Sequence, residues 1–181
     1  MKISFNPLSF GANLLISNRA KIRGIARREQ MLKDNFKATT PDEDYLVIMT
    51  TNKNSDEDKF ELYDENKAVV AVHHAPLSKY AQSIPTETLS KRLTDIYNIL
   101  KIKESFNSVI SVLKEFRSSK LREIEEIRQD PNIPKDEKKS LIDSKKQMVK
   151  FINKDIEYNA RSCLIECDSY EIMHGMKNEL N

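Results

Sequence analysis

Glycine is scarce in this chain: Gly11, Gly24 and Gly175 are the only three in 181 residues. Average usage of roughly 7% would give about a dozen. Glycine lets a backbone curl around a phosphate or approach a dinucleotide closely. Three glycines this far apart cannot form a P-loop or a GxGxxG turn, which excludes the commonest nucleotide-binding enzymes. Cysteine is equally sparse. Cys163 and Cys167 are the only two, too few for a disulfide framework, and they point to a reducing compartment. Long apolar runs are missing too. A membrane span needs ~18 consecutive apolar residues. Leu14-Leu15-Ile16, bracketed by Asn13 and Asn18, is also too short for a signal-peptide core. The expectation is a soluble, cytoplasmic protein with no transmembrane segment.

Negative charge is absent from the first 28 residues. Lys2, Arg19, Lys21, Arg23, Arg27 and Arg28 precede the first acid, Glu29. The rest of the chain holds 24 Lys and Arg against 28 Asp and Glu, so a net charge of +2 conceals a basic head on a mildly acidic body. Such asymmetry marks an interaction arm, a targeting segment or a basic helix docked on an acidic body. Arg19, Lys21, Arg23, Arg27 and Arg28 are the candidate nucleic-acid contacts, because clustered cations neutralise phosphates. No aromatic residues interleave them, so stacking on single-stranded bases is not indicated. An acid-free, arginine-bearing segment over 1–28 also has the character of a mitochondrial transit peptide, which would place the protein in the matrix. A docked helix is the favoured expectation, since Ile22, Ile25, Leu32 and Phe36 form an apolar stripe that an electrostatic arm does not need.

What is present is mostly helical pattern. Charged residues make up 32% and apolar ones 39%, the balance of helices with long solvated faces and a thin core. Residues 1 to about 12 read as extended or disordered, with Pro7 and Gly11 as breakers. A helical period begins near 14 and runs to Phe36. Residues 1–40 are thus expected to be a basic segment, helical from about 14, and 41–181 a single α+β domain. In that domain the sheet occupies 44–74 and helices occupy 86–180.

The β-rich run Tyr45–Thr51, the alternating Lys59–Tyr63 and the returning Ala68–Val72 predict a small three-stranded antiparallel meander. Beyond Pro76 the pattern is helical. Thr86 is a candidate cap for a helix through Leu89, Leu93, Ile96, Tyr97 and Leu100. Asp130-Pro131-Asn132-Ile133-Pro134 separates two long helical stretches. Asp136 and Glu137 suit the start of the second. A long antiparallel helical hairpin is the expectation, with Phe116, Ile124, Ile142, Val149 and Ile152 lining its seam. A C-terminal helix would follow from near Ser162.

Candidate chemistry is thin. His73 and His74 end a strand, where neighbours point to opposite faces, so both read as surface histidines. Cys163, Cys167, Tyr170 and His174 recur at i, i+4, i+7 and i+11, the spacing of a packed stripe. His174 lies about 10 Å along the helix from Cys167, too far for a shared zinc ion. Asp42-Glu43-Asp44 and Asp56-Glu57-Asp58 lack the spacing of an EF-hand and read as solvated loops. No catalytic, cofactor or metal residues are assigned. The leading functional expectation is a non-enzymatic interaction or scaffold protein whose helical hairpin pairs with another protein or with itself. A nucleic-acid-associated protein using the basic head is the alternative. An enzyme with a site assembled from scattered residues is the third, and a pocket combining His73 or His74 with carboxylates would favour it.

Overall fold

The computed structural model describes residues 12–18, 25–40, 45–51 and 57–176. It is mostly helical, with a four-stranded mixed sheet in the order β1-β2-β3-β4. The strands are β1 (Asn13–Ile16), β2 (Leu46–Thr51), β3 (Asp58–Tyr63) and β4 (Val69–Ala75). The helices are α1 (Glu29–Thr39), the single turn α2 (Leu77–Tyr80), α3 (Thr86–Gln129) and α4 (Lys135–Met173).

The antiparallel meander is present as β2-β3-β4. The fourth strand corrects the sequence reading. Leu14–Ile16 begins no helix; Asn13–Ile16 pairs parallel to Leu46–Met49. Four residues are too few to separate a period of two from one of 3.6. Tertiary pairing decides the matter: Asn13 N–H donates to Tyr45 O and Ser17 N–H to Met49 O, both at 2.9 Å. The helix of this region begins only at Glu29, after a 3-10 turn at Ala26–Arg28. Ile25, Leu32 and Phe36 of the expected stripe are buried, so residues 25–40 are docked; Ile22 lies outside the described residues.

The residues group into two compact units, and both long helices contribute to each. The first unit holds residues up to Glu104 together with those from Tyr170 onward; the second is Ser105–Ser169. In the first, strand register aligns Ile16, Met49, Phe60 and His73 across one sheet face, and Leu14, Val47, Leu62 and Ala71 beside them. That face is buried, whereas Leu15, Ile48, Glu61 and Val72 on the other are half-exposed. A short sheet needs such one-sided cover. The early part of α3 carries the matching apolar set, Leu89, Leu93, Ile96, Tyr97 and Leu100, all buried. The Phe36 ring of α1 meets Tyr97 edge-to-face at 5.6 Å. Thr86 is the first helical residue of α3 rather than its cap; the Pro85 carbonyl accepts from Leu89 N–H at 3.0 Å.

The second unit is the antiparallel hairpin. Lys145 pairs with Glu123 and Arg117 with Asn153, so positions on α4 run opposite to those on α3. In the connection Asp130 accepts from Asn132 N–H at 2.8 Å, and Pro134 O accepts from Lys138 N–H at 2.9 Å. Ile124 and Ile152 are buried, while Ile142, Val149 and Ile156 are half-buried. Phe116 does not line the seam as expected: it is 46% exposed. Eight residues separate it from Ile124, which at 3.6 per turn sets it about 80° round the helix. The separate C-terminal helix is also corrected. Between Lys135 and Met173 there is neither glycine nor proline, and α4 runs unbroken through Ser162.

Gly175 ends the helical path. Its φ of +68° is the left-handed conformation that glycine adopts without Cβ strain. Met176 N–H donates to Glu171 O at 2.9 Å and Gly175 N–H to Ile172 O at 3.2 Å. This is the double-bonded Schellman termination, and it leaves Met176 buried.

Candidate functional site

The basic head divides on the structure. Arg19, Lys21 and Arg23 lie outside the described residues, as do Asp42, Glu43 and Asp44. Arg27 is exposed. Arg28 is a clamp: Nη1 donates to Ile84 O at 2.8 Å and Nη2 to Ala81 O at 2.5 Å. Its guanidinium therefore ties the start of α1 to the turn between α2 and α3.

Asp58 departs from the expected solvated loop, whereas Glu57 is exposed and Asp56 lies outside the described residues. Asp58 is fully buried at the start of β3. Oδ1 accepts from Thr51 Oγ1 at 2.5 Å and from Ser78 Oγ at 2.7 Å, and Oδ2 accepts from Ser78 N–H at 2.5 Å. A buried carboxylate is tolerated when its lone pairs are filled in this way. The segment from Pro76 to Ile84 is thus held at one end by Asp58 and at the other by Arg28.

That segment forms part of the wall of a cavity of about 370 Å³, whose lining residues all belong to the first unit. Its polar groups are His73, His74, Ser83, Arg92 and Glu171, and Tyr80 contributes a phenol. Leu77, Ile84, Ile96 and Met176 supply apolar surface. A largely apolar concavity with a few convergent polar groups is the usual form of a small-ligand site.

His73 is not the surface residue its position suggested. Register with Phe60 and Met49 turns it to the buried sheet face. Lys103 Nζ lies 3.2 Å from Nδ1 and also donates to Val72 O at 3.1 Å. Nε2 is 3.8 Å from Glu171 Oε1. Burial lowers the imidazole pKa to about 4, helped by the charges of Lys103 and His74. The ring is therefore neutral at pH 7. By accepting from Lys103 at Nδ1 it directs its own proton from Nε2 toward Glu171. His74 is exposed, as expected.

The stripe of Cys163, Cys167, Tyr170 and His174 is only partly packed. Cys167 is buried and Cys163 half-buried in the second unit. In the first unit, Tyr170 donates to Asp95 Oδ1 at 3.1 Å and accepts from Asn98 at 2.8 Å. His174 stacks on Tyr170 at 4.0 Å, with Nδ1 3.2 Å from Asp95 Oδ1. Among the described residues no group of three or more His, Cys, Asp and Glu side chains is placed to hold a metal ion.

The second unit presents a different kind of feature. Val109, Val112, Phe116, Leu121, Leu141, Met148, Phe151, Tyr158, Leu164 and Ile165 are all exposed there; only Met31, Val69, Ile172 and Met173 are exposed large apolar residues elsewhere in the described chain. On α4 the inward series Ile142, Val149 and Ile156 recurs every seven residues. A second series, Phe151, Tyr158 and Ile165, does the same nine residues later and continues to Ile172. At 3.6 residues per turn, a nine-residue offset is about half a rotation, so the second series occupies the opposite face. Its signal lay in the sequence as a second seven-residue register. Arg92 and Glu171, by contrast, come from distant segments with no spacing to link them. Among the described residues no helix is long and apolar enough to cross a membrane. No family model, no curated protein and no solved structure matches the chain.

Proposed function

We propose that this chain is a protein-interaction module acting through its helical hairpin, with the outward face of α4 receiving an amphipathic helix of a partner protein. One observation carries the reading: Phe151, Tyr158 and Ile165 recur every seven residues on the face opposite the hairpin seam, each more than 60% exposed. Seven-residue apolar spacing is what a second helix packs against. Exposed apolar residues scattered singly need no explanation, whereas an aligned series marks a contact surface. Lys154 and Arg161 flank the series on one edge and Asp155 and Glu166 on the other, which favours a partner helix with one acidic and one basic edge.

The test is the double variant Phe151→Glu/Ile165→Glu. Both side chains are exposed, so the melting temperature should hold while association with partner protein is lost. A variant that still associates like the wild type would remove the basis for the proposal. Sedimentation velocity on the purified chain identifies the case in which the partner is a second copy.

Nucleic-acid contact through the basic head is the alternative. Of the described members Arg27 is exposed and Arg28 is engaged by two carbonyls. Salt-dependent retention on duplex DNA distinguishes this reading.

A further inference from the structure

We propose that the cavity beside the end of β4 binds a small amphipathic anion, a carboxylate on a short aliphatic or aryl body. The site is independent of the hairpin surface, and every residue of it belongs to the first unit.

Three observations support it. The cavity has the right scale: about 370 Å³ accommodates a body of roughly ten heavy atoms or more with its walls in contact. Its walls match such a body, with Leu77, Ile84, Ile96 and Met176 presenting hydrocarbon. These walls are fixed by charged or backbone contacts rather than left to fluctuate. Asp58 anchors Ser78, Arg28 anchors the carbonyls of Ala81 and Ile84, and the turn at Gly175 sets Met176. A pre-formed cavity avoids the ordering cost that weakens binding to a mobile one.

The head group follows from the charges. Among the lining residues Arg92 is the permanent cation. A planar guanidinium with five N–H donors accommodates a carboxylate in addition to its other contacts. Glu171 supplies the opposing negative charge, but it faces Nε2 of His73. Of the two fixed charges, the guanidinium is the one that can hold a carboxylate through two parallel N–H donors, which sets the ligand's anionic end toward Arg92 and away from Glu171.

Isothermal titration of the full chain with octanoate, 1-octanol and octylammonium tests the assignment. Octanoate should bind saturably at one site and more tightly than the other two. Arg92→Gln should weaken octanoate at least about tenfold, the scale of one charge-assisted hydrogen-bond pair, and leave octanol unchanged. Ala75→Trp should fill the cavity and abolish binding, and Ser83→Trp serves as the same block should Ala75→Trp not fold. Tighter binding of octylammonium would make Glu171 the head-group residue and overturn the anion assignment. Undiminished octanoate binding in a folded blocked variant would place it elsewhere, and the absence of saturable binding at millimolar concentration would overturn the site. None of these results bears on Phe151 or Ile165, so the fate of this site and that of the hairpin surface are distinguishable.

Discussion

Phe151 and Ile152 are neighbours in sequence with opposite surroundings: Phe151 is 63% exposed and Ile152 only 5%. Truncating each to alanine is therefore a paired test of how the hairpin is built. For Ile152 the loss combines transfer of hydrocarbon with the cavity left behind, typically ~2–5 kcal/mol for a buried isoleucine. In a chain of this size each kcal/mol moves the melting temperature by about 2–4 °C, so Ile152→Ala should lower it by roughly 10 °C. For Phe151 the side chain is already in water, and the change should stay within about 0.5 kcal/mol. Far-UV circular dichroism of purified protein during thermal melting measures both. Equal losses would mean that α4 faces the other way or that the second apolar series is covered within the chain. Equal indifference would mean that the seam around Ile124 and Ile152 does not support the hairpin.

Other outcomes follow from the first unit. Arg28→Gln should cost about 1.5–3 kcal/mol in urea unfolding, the usual worth of hydrogen bonds from a charged donor, because the Ala81 and Ile84 carbonyls lose it; an unchanged midpoint would return Arg28 to the class of free surface cations. Asp58→Ala should leave the Ser78 N–H and two hydroxyls without their acceptor and cost several kcal/mol in the same assay. His73 sets a pH dependence. Its pKa is about 4 in the fold against about 6.5 unfolded, so below pH 6.5 the unfolded chain binds the extra proton. Stability is then full above 6.5 and falls as pH drops toward 4, by up to about 3 kcal/mol. His73→Gln should flatten that part of the profile, and an unaltered slope would mean that other groups dominate it.

Much of the architecture was legible where period and length agreed. The β2-β3-β4 meander announced itself through Leu46–Thr51 and the alternation of Phe60 and Leu62. The hairpin announced itself through Asp130–Pro134 and the series Ile142, Val149 and Ile156. Strand β1 was not legible, because Leu14-Leu15-Ile16 suits either a helix or a strand until Leu46–Met49 is beside it. Phe116 was misplaced because it stands eight residues from Ile124, not seven, which turns it about 80° away from the seam. The roles of Arg28 and Asp58 were hidden for a different reason. A charged residue near the end of an element reads as solvated until the carbonyls or hydroxyls it meets, here 7 to 56 positions away, are known. The cavity groups share that difficulty, since Arg92 and Glu171 belong to different helices.

Site-specific photo-crosslinking tests the central claim most directly. A photoreactive phenylalanine analogue replaces Tyr158, on the outward series, or Glu157, about a quarter-turn away, and the full chain is irradiated in its native extract. Position 158 should yield a discrete protein adduct, position 157 should not, and Phe151→Glu/Ile165→Glu should abolish the adduct without lowering the melting temperature. An adduct of twice the chain mass would identify a second copy as the bound helix. Equal capture from both positions, or capture that survives the double variant, would contradict the assignment of α4's outer face as the interaction surface.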